Sequence, residues 1–194
     1  MTVAAVSKPR LGTLSFVLFL LLASCARESL AGTDLGGQVA PDFTLVDGGT
    51  GERVSLSAQR GRVVLLTFIY TQCPDICPLT AERIRNAADQ VSARGGRGTY
   101  LAVTVDPAHD TPQAIREFLD AHRLKGTLRY LTGDKPSLAA VWRSYSIDVG
   151  PAEVGVAHLD AIILIDKLGR ARILLNSDVD PRVIARDIVL LAAE

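Results

Sequence analysis

Apolar positions along the chain fall into two kinds of pattern, and their order predicts the architecture. Residues 63–70, 100–105 and 161–165 are continuous apolar, β-branched runs. Short runs without alternation fit strands buried on both faces. Between them the spacing becomes helical. Ile84, Ala87, Ala88 and Val91 share one face of a helix that Gly95 and Gly96 bring to an end. Thr111 and Pro112 supply the cap and first residue of a second helix, with Ile115, Phe118 and Leu119 facing inward. A short strand at 128–131 leads to a third helix carrying Leu138, Val141, Trp142 and Tyr145. After the strand at 161–165, a turn at 167–169 returns the chain to a hairpin partner at 171–175. Asp180 and Pro181 open a last helix, with Ile184, Ile188 and Leu191 on its inner face. Upstream, residues 43–46 and 53–56 flank a glycine-rich turn and predict a further hairpin. Alternating strands and helices, closed by a hairpin and a helix, imply one mixed sheet covered on both faces. That α/β domain is expected to run from residue 40 to 194, preceded by a polar, aperiodic tether at 26–39.

The first 24 residues follow a different pattern. Lys8 and Arg10 form a short positive region, and residues 11–23 are apolar apart from Gly12, Thr13 and Ser15. A membrane span needs about 20 apolar residues, so this run suits the core of a secretory signal instead. It ends in Leu22-Ala23-Ser24-Cys25, which resembles the lipobox of bacterial lipoprotein precursors. The resemblance implies a signal peptide at 1–24 and a lipidated Cys25. The folded part is then expected in the bacterial cell envelope, outside the cytoplasm and anchored to a membrane.

Composition adds constraints. With 48% hydrophobic and 22% charged residues, the 194-residue chain has the make-up of a one-domain globular protein. Its formal net charge is zero and no block of Lys and Arg occurs, which argues against nucleic acid as a partner. No phosphate-binding P-loop or dinucleotide fingerprint is present either.

Three cysteines occur, and two of them stand four residues apart in Cys73-Pro-Asp-Ile-Cys77, followed by Pro78. A buried strand ends just before them and a helix begins just after, the edge of an α/β sheet where ligands bind. Pro78 suits a first helical turn and biases Cys77 away from helical geometry, so both sulfurs are expected at or just before the helix N-terminus. Unpaired N–H groups there favour thiolate over thiol. Such a pair could oxidise, exchange with a partner disulfide, or splay around a soft ion such as Cu(I), with an added imidazole also tolerating Cu(II). Zinc fits less well, since a structural zinc site closes with four ligands. A peroxidase would need an arginine beside Cys73, and none lies between Tyr70 and Thr80. Of the three histidines, His122 falls on an apolar helix face and His109 in a loop. His158 precedes the strand at 161–165 and would reach the cysteines if that strand lies beside residues 63–70.

Three ordered segments resemble the Sco/SenC family. They are VVLLTFIYTQCPDICP (63–78), DPAHDTP (106–112) and VAHLDAIILID (156–166). Ala157 stands where the family often has an aspartate before its histidine. The resemblance implies a thioredoxin-like fold and a copper site made by Cys73, Cys77 and His158. It further implies copper delivery, from an upstream copper donor, to the binuclear centre of cytochrome c oxidase subunit II. Keeping that subunit's cysteines reduced through the Cys73–Cys77 pair is the alternative role. The first describes a transfer protein rather than a turnover enzyme, and the second a thiol–disulfide oxidoreductase activity.

Overall fold

The computed structural model describes residues 28–149, 161–176 and 178–194. The predicted hairpin forms from β2 (Thr44–Asp47) and β3 (Arg53–Ser55), after a two-residue strand, β1 (Thr33–Asp34). Three β–α units follow: β4 (Val63–Ile69) with α1 (Ile76–Ala93), β5 (Gly98–Thr104) with α2 (Pro112–Ala121), and β6 (Leu128–Thr132) with α3 (Lys135–Ser144). The antiparallel pair β7 (Ala161–Ile165) and β8 (Ala171–Asn176) and the helix α4 (Pro181–Ala193) complete the order. The eight strands make one sheet, arranged β1-β8-β7-β4-β5-β6-β2-β3. Only β4, β5 and β6 run parallel to one another, so the sheet is mixed as expected.

Strand β4 shows why its sequence carries no alternation. Val63, Leu65 and Ile69 face a core shared with α1, α2 and α4, while Val64, Leu66 and Phe68 face a second core beneath α3 and the hairpin. Every residue of β4 is buried. A period of two is present in direction but invisible in composition, because both directions are apolar. Burying each such side chain contributes about 1.5–3 kcal/mol of transfer free energy. The predicted caps also form. Thr111 Oγ1 accepts from Ala114 N at 3.2 Å, and the Asp180 carboxylate accepts from Arg182 N at 2.8 Å.

The expected tether is ordered over much of its length. Thr33 and Asp34 pair with Leu174 and Ile173 on β8, Leu35 N donates to Arg172 O at 3.0 Å, and Ala31 N donates to the fully buried Asp187 carboxylate at 2.8 Å. Gly32 has φ +84°, and a Cβ there would run into the Leu174 carbonyl oxygen. This strap is held by main-chain bonds, which leave no hydrophobic periodicity in the sequence. The ordered domain therefore starts ahead of Ala40. Among the described residues no helix is long and apolar enough to cross a membrane, and residues 1–27, with Cys25, lie outside them.

Candidate thiol and metal site

The site grows from the end of β4. Past Ile69 the chain leaves the sheet, turns through residues 70–75 and enters α1 at Ile76. Cys73 N donates to Tyr70 O in this turn, and Cys73 Sγ accepts from Cys77 N at 3.2 Å. The sulfur thus takes the role that an N-cap oxygen fills elsewhere, while the Asp75 side chain at the formal cap position makes no capping bond. Cys77 lies inside the helix rather than ahead of it, contrary to the pre-proline expectation. Its satisfied N–H and complete burial outweigh the steric bias from Pro78.

Both cysteines are free thiols, yet they are not equivalent. Burial pushes Cys73 up, but hydrogen bonds from the Cys77 thiol and from the N–H groups of Cys77, Asp75 and Ile76 outweigh burial and hold it below its ordinary value. Cys77 is driven far above its ordinary value, first by burial and next by its hydrogen bond to Cys73, with the Tyr70 N–H offsetting only part. The sequence reading favoured thiolate at both positions. The helix N-terminus supplies that advantage to Cys73 alone, because its N–H groups converge on one sulfur. Tyr70, beside this pair, is raised as well, by burial first and then by Cys73.

Behind the thiol turn lies a buried polar cluster that sequence reasoning missed. Asp110 is 2% exposed and accepts from Thr71 N and Thr71 Oγ1, from Thr104 Oγ1 and from the Tyr130 hydroxyl. The sequence signals were its place just before the Thr111–Pro112 helix start and inside the DPAHDTP segment (106–112), and neither marks it as buried. On the surface, Ile76 and Leu79 leave 38% and 49% of their area exposed beside the cysteines.

The three histidines separate. His109 is exposed and its Nδ1 lies 2.7 Å from Asp106 Oδ2, a loop pair. His122 is half-buried at the C-terminus of α2, its ring 4.5 Å from that of Phe118. His158 lies outside the described residues, and among those described no three His, Cys, Asp or Glu side chains converge on a point. The condition set on the strand that follows His158 is met: β7 lies against β4, with Ile162 opposite Thr67. The start of β7 therefore shares a sheet edge with the end of β4. Clefts of 910, 430 and 340 Å³ elsewhere are lined by residues other than the cysteines.

Comparison with known proteins agrees with the three motifs. A profile of the SCO1/SenC family matches residues 31–193. A Stutzerimonas stutzeri protein named for copper binding is 30% identical over 183 residues, covering 84% of this chain and 88% of its own. The mitochondrial SCO2 homologue of Bos taurus is 38% identical over 139 residues, covering 66% of this chain and half of its own length. Among solved structures, Bradyrhizobium japonicum ScoI with copper bound superposes with a TM-score of 0.69 at 27% identity, covering 79% of this chain and 99% of that one. The sheet and its helix layers are those of the thioredoxin-like Sco proteins.

Proposed function

Because this chain belongs to the SCO1/SenC family, we propose that it is a copper carrier using Cys73, Cys77 and His158, and that it serves the assembly of cytochrome c oxidase. The observation that carries this reading is the pair of free, hydrogen-bonded thiols where β4 ends and α1 begins, beside the strand that His158 precedes. Two sulfurs and an imidazole suit copper, which as cargo would be held by soft donors. The protein's own contribution is order and dryness. Cys73, 7% exposed, is the sulfur an incoming ion meets first, and Cys77, sealed at 0%, gives up its proton only as the ion arrives. The apolar surface of Ile76 and Leu79 beside them suits contact with a protein more than with a small solute. We further propose residues 1–24 as a signal peptide and Cys25 as the lipidated anchor in the cell envelope. Subunit II of the oxidase would be the recipient, and an upstream donor would load the site.

Anaerobic copper titration of the reduced protein tests the ligand set. One tightly held ion per chain is expected, with tight binding lost in Cys73→Ser, Cys77→Ser and His158→Ala. The His158 variant should still form a Cys73–Cys77 disulfide. Wild-type affinity in that variant, by competition with a copper chelator, would remove His158 from the site.

The unequal thiols favour a second reading, reduction of a partner disulfide. Cys73 as thiolate attacks one partner sulfur and expels the other; Cys77 then loses its proton, attacks Cys73 and frees the second partner sulfur. The partner gains two electrons, one proton from Cys77 and a second from solvent, and this chain ends with a Cys73–Cys77 disulfide. Function retained by His158→Ala in restoring oxidase assembly would favour this role over copper delivery.

A further inference from the structure

We propose that Asp110 is the positioning residue of the thiol turn, fixing Cys73 against the start of α1 by tying Thr71 to β5 and β6. This rests on Cys73 and Cys77 being the working thiols, as proposed above. The carboxylate uses both oxygens. Oδ1 accepts from Thr71 N at 2.8 Å and from Thr71 Oγ1 at 2.6 Å. Oδ2 accepts from Thr104 Oγ1 at 2.5 Å and from the Tyr130 hydroxyl at 2.7 Å. Two planar oxygens offer about four acceptor positions, so the group is fully engaged by donors from three separate segments.

Geometry gives this cluster a purpose beyond packing. Thr71 lies two residues beyond the end of β4, where the sheet no longer offers a partner to its N–H, and two residues before Cys73. The Asp110 carboxylate is buried and costly to leave without donors, so it dictates where the half-buried Thr71 and the turn must run. The other half of the clamp is itself held. Thr104 Oγ1 also accepts from Asp106 N at 3.0 Å, and the Thr104 carbonyl accepts from Trp142 Nε1 at 2.9 Å, which links it to α3 across the sheet. Tyr130 additionally reaches Ile69 O, the last carbonyl of β4, at 3.3 Å. Thr71 is therefore referenced to the rigid centre of the sheet, not to the surface. Released, the turn would draw Cys73 Sγ away from the α1 N–H groups and uncover Cys77.

The test uses the reduced, metal-free full chain and reads which cysteine iodoacetamide alkylates, by mass spectrometry, beside urea unfolding of each variant. The wild type is expected to react at Cys73 with Cys77 protected. Thr71→Val keeps shape and N–H but removes the hydroxyl, and Asp110→Asn replaces two accepting positions with donors. Each should cut the preference for Cys73 by about tenfold, the scale of one lost buried hydrogen bond. Thr71→Ser, which retains the hydroxyl, should restore it. A merely structural role would lower the urea midpoint without moving the ratio. A wild-type ratio in both variants overturns the proposal; if Asp110→Asn does not fold, the Thr71→Val and Thr71→Ser pair decides alone. Copper competition on the wild type separates the two readings. A wild type that holds no copper defeats the carrier role, while the alkylation ratio still decides the part played by Asp110.

Discussion

At the scale of single residues, identical chemistry acquires different properties from a few ångströms of placement. Cys73 and Cys77 share one turn, yet one sulfur gathers the N–H groups of a helix end and the other is sealed in the core. The capping role of Cys73 has a stability consequence. Cys73→Ala should lower unfolding free energy by about 1 kcal/mol, the usual cost of a lost cap. Cys73→Ser, which keeps an acceptor at that position, should cost less, and urea denaturation of the reduced variants would rank them. Asp187 is a second residue whose burial matters. It is fully buried and accepts from Ala31 N at 2.8 Å and from Arg186 at 2.7 and 2.8 Å. Asp187→Ala leaves the Ala31 N–H without its acceptor, while Arg186, partly exposed, can turn to solvent; a loss of about 1–3 kcal/mol is expected in the same measurement.

At the scale of elements, short polar signals position long apolar ones. The Thr111 cap starts α2 one residue after Asp110, so the cap and the clamp belong to one loop. Loss of the strap between β1 and α4 should be local. Gly32→Ala forces an unfavourable positive φ and a clash with Leu174, and is expected to speed amide exchange at Thr33 and Asp34 while β4 and β5 keep their protection. Equal acceleration across the sheet would show the strap to be part of the global unfolding unit. Legibility varied with the kind of force involved. The helices of Ile84, Ile115, Leu138 and Ile184 could be read because their cores are apolar and periodic. β1 could not, since its contacts are backbone to backbone, and Gly32 reads equally well as tether.

At the scale of the molecule, the sheet edge far from the thiols carries part of the acid sensitivity. Asp166 is buried, which alone would raise it, but N–H and guanidinium donors from Arg170, a guanidinium bond from Arg172 and the Leu168 N–H hold it below its ordinary value of 3.8. Because the folded value is the lower one, its contribution is complete above that unfolded value and disappears as pH falls through the folded one. Urea midpoints should therefore drop on acidification below about pH 4, and Asp166→Asn should flatten that limb while lowering the neutral plateau. What the sequence determined by itself was local or compositional. Strand and helix order, the caps at Thr111 and Asp180, and the pairing of Cys73 with Cys77 follow from rules spanning a few residues. Tertiary structure alone decided that β7 runs beside β4, that one thiol caps α1 while the other is buried, and that Asp110 holds Thr71 across some forty positions of chain. Those outcomes depend on which distant groups share a dry interior, where an unpaired donor or acceptor is costly, and no short window of sequence records that.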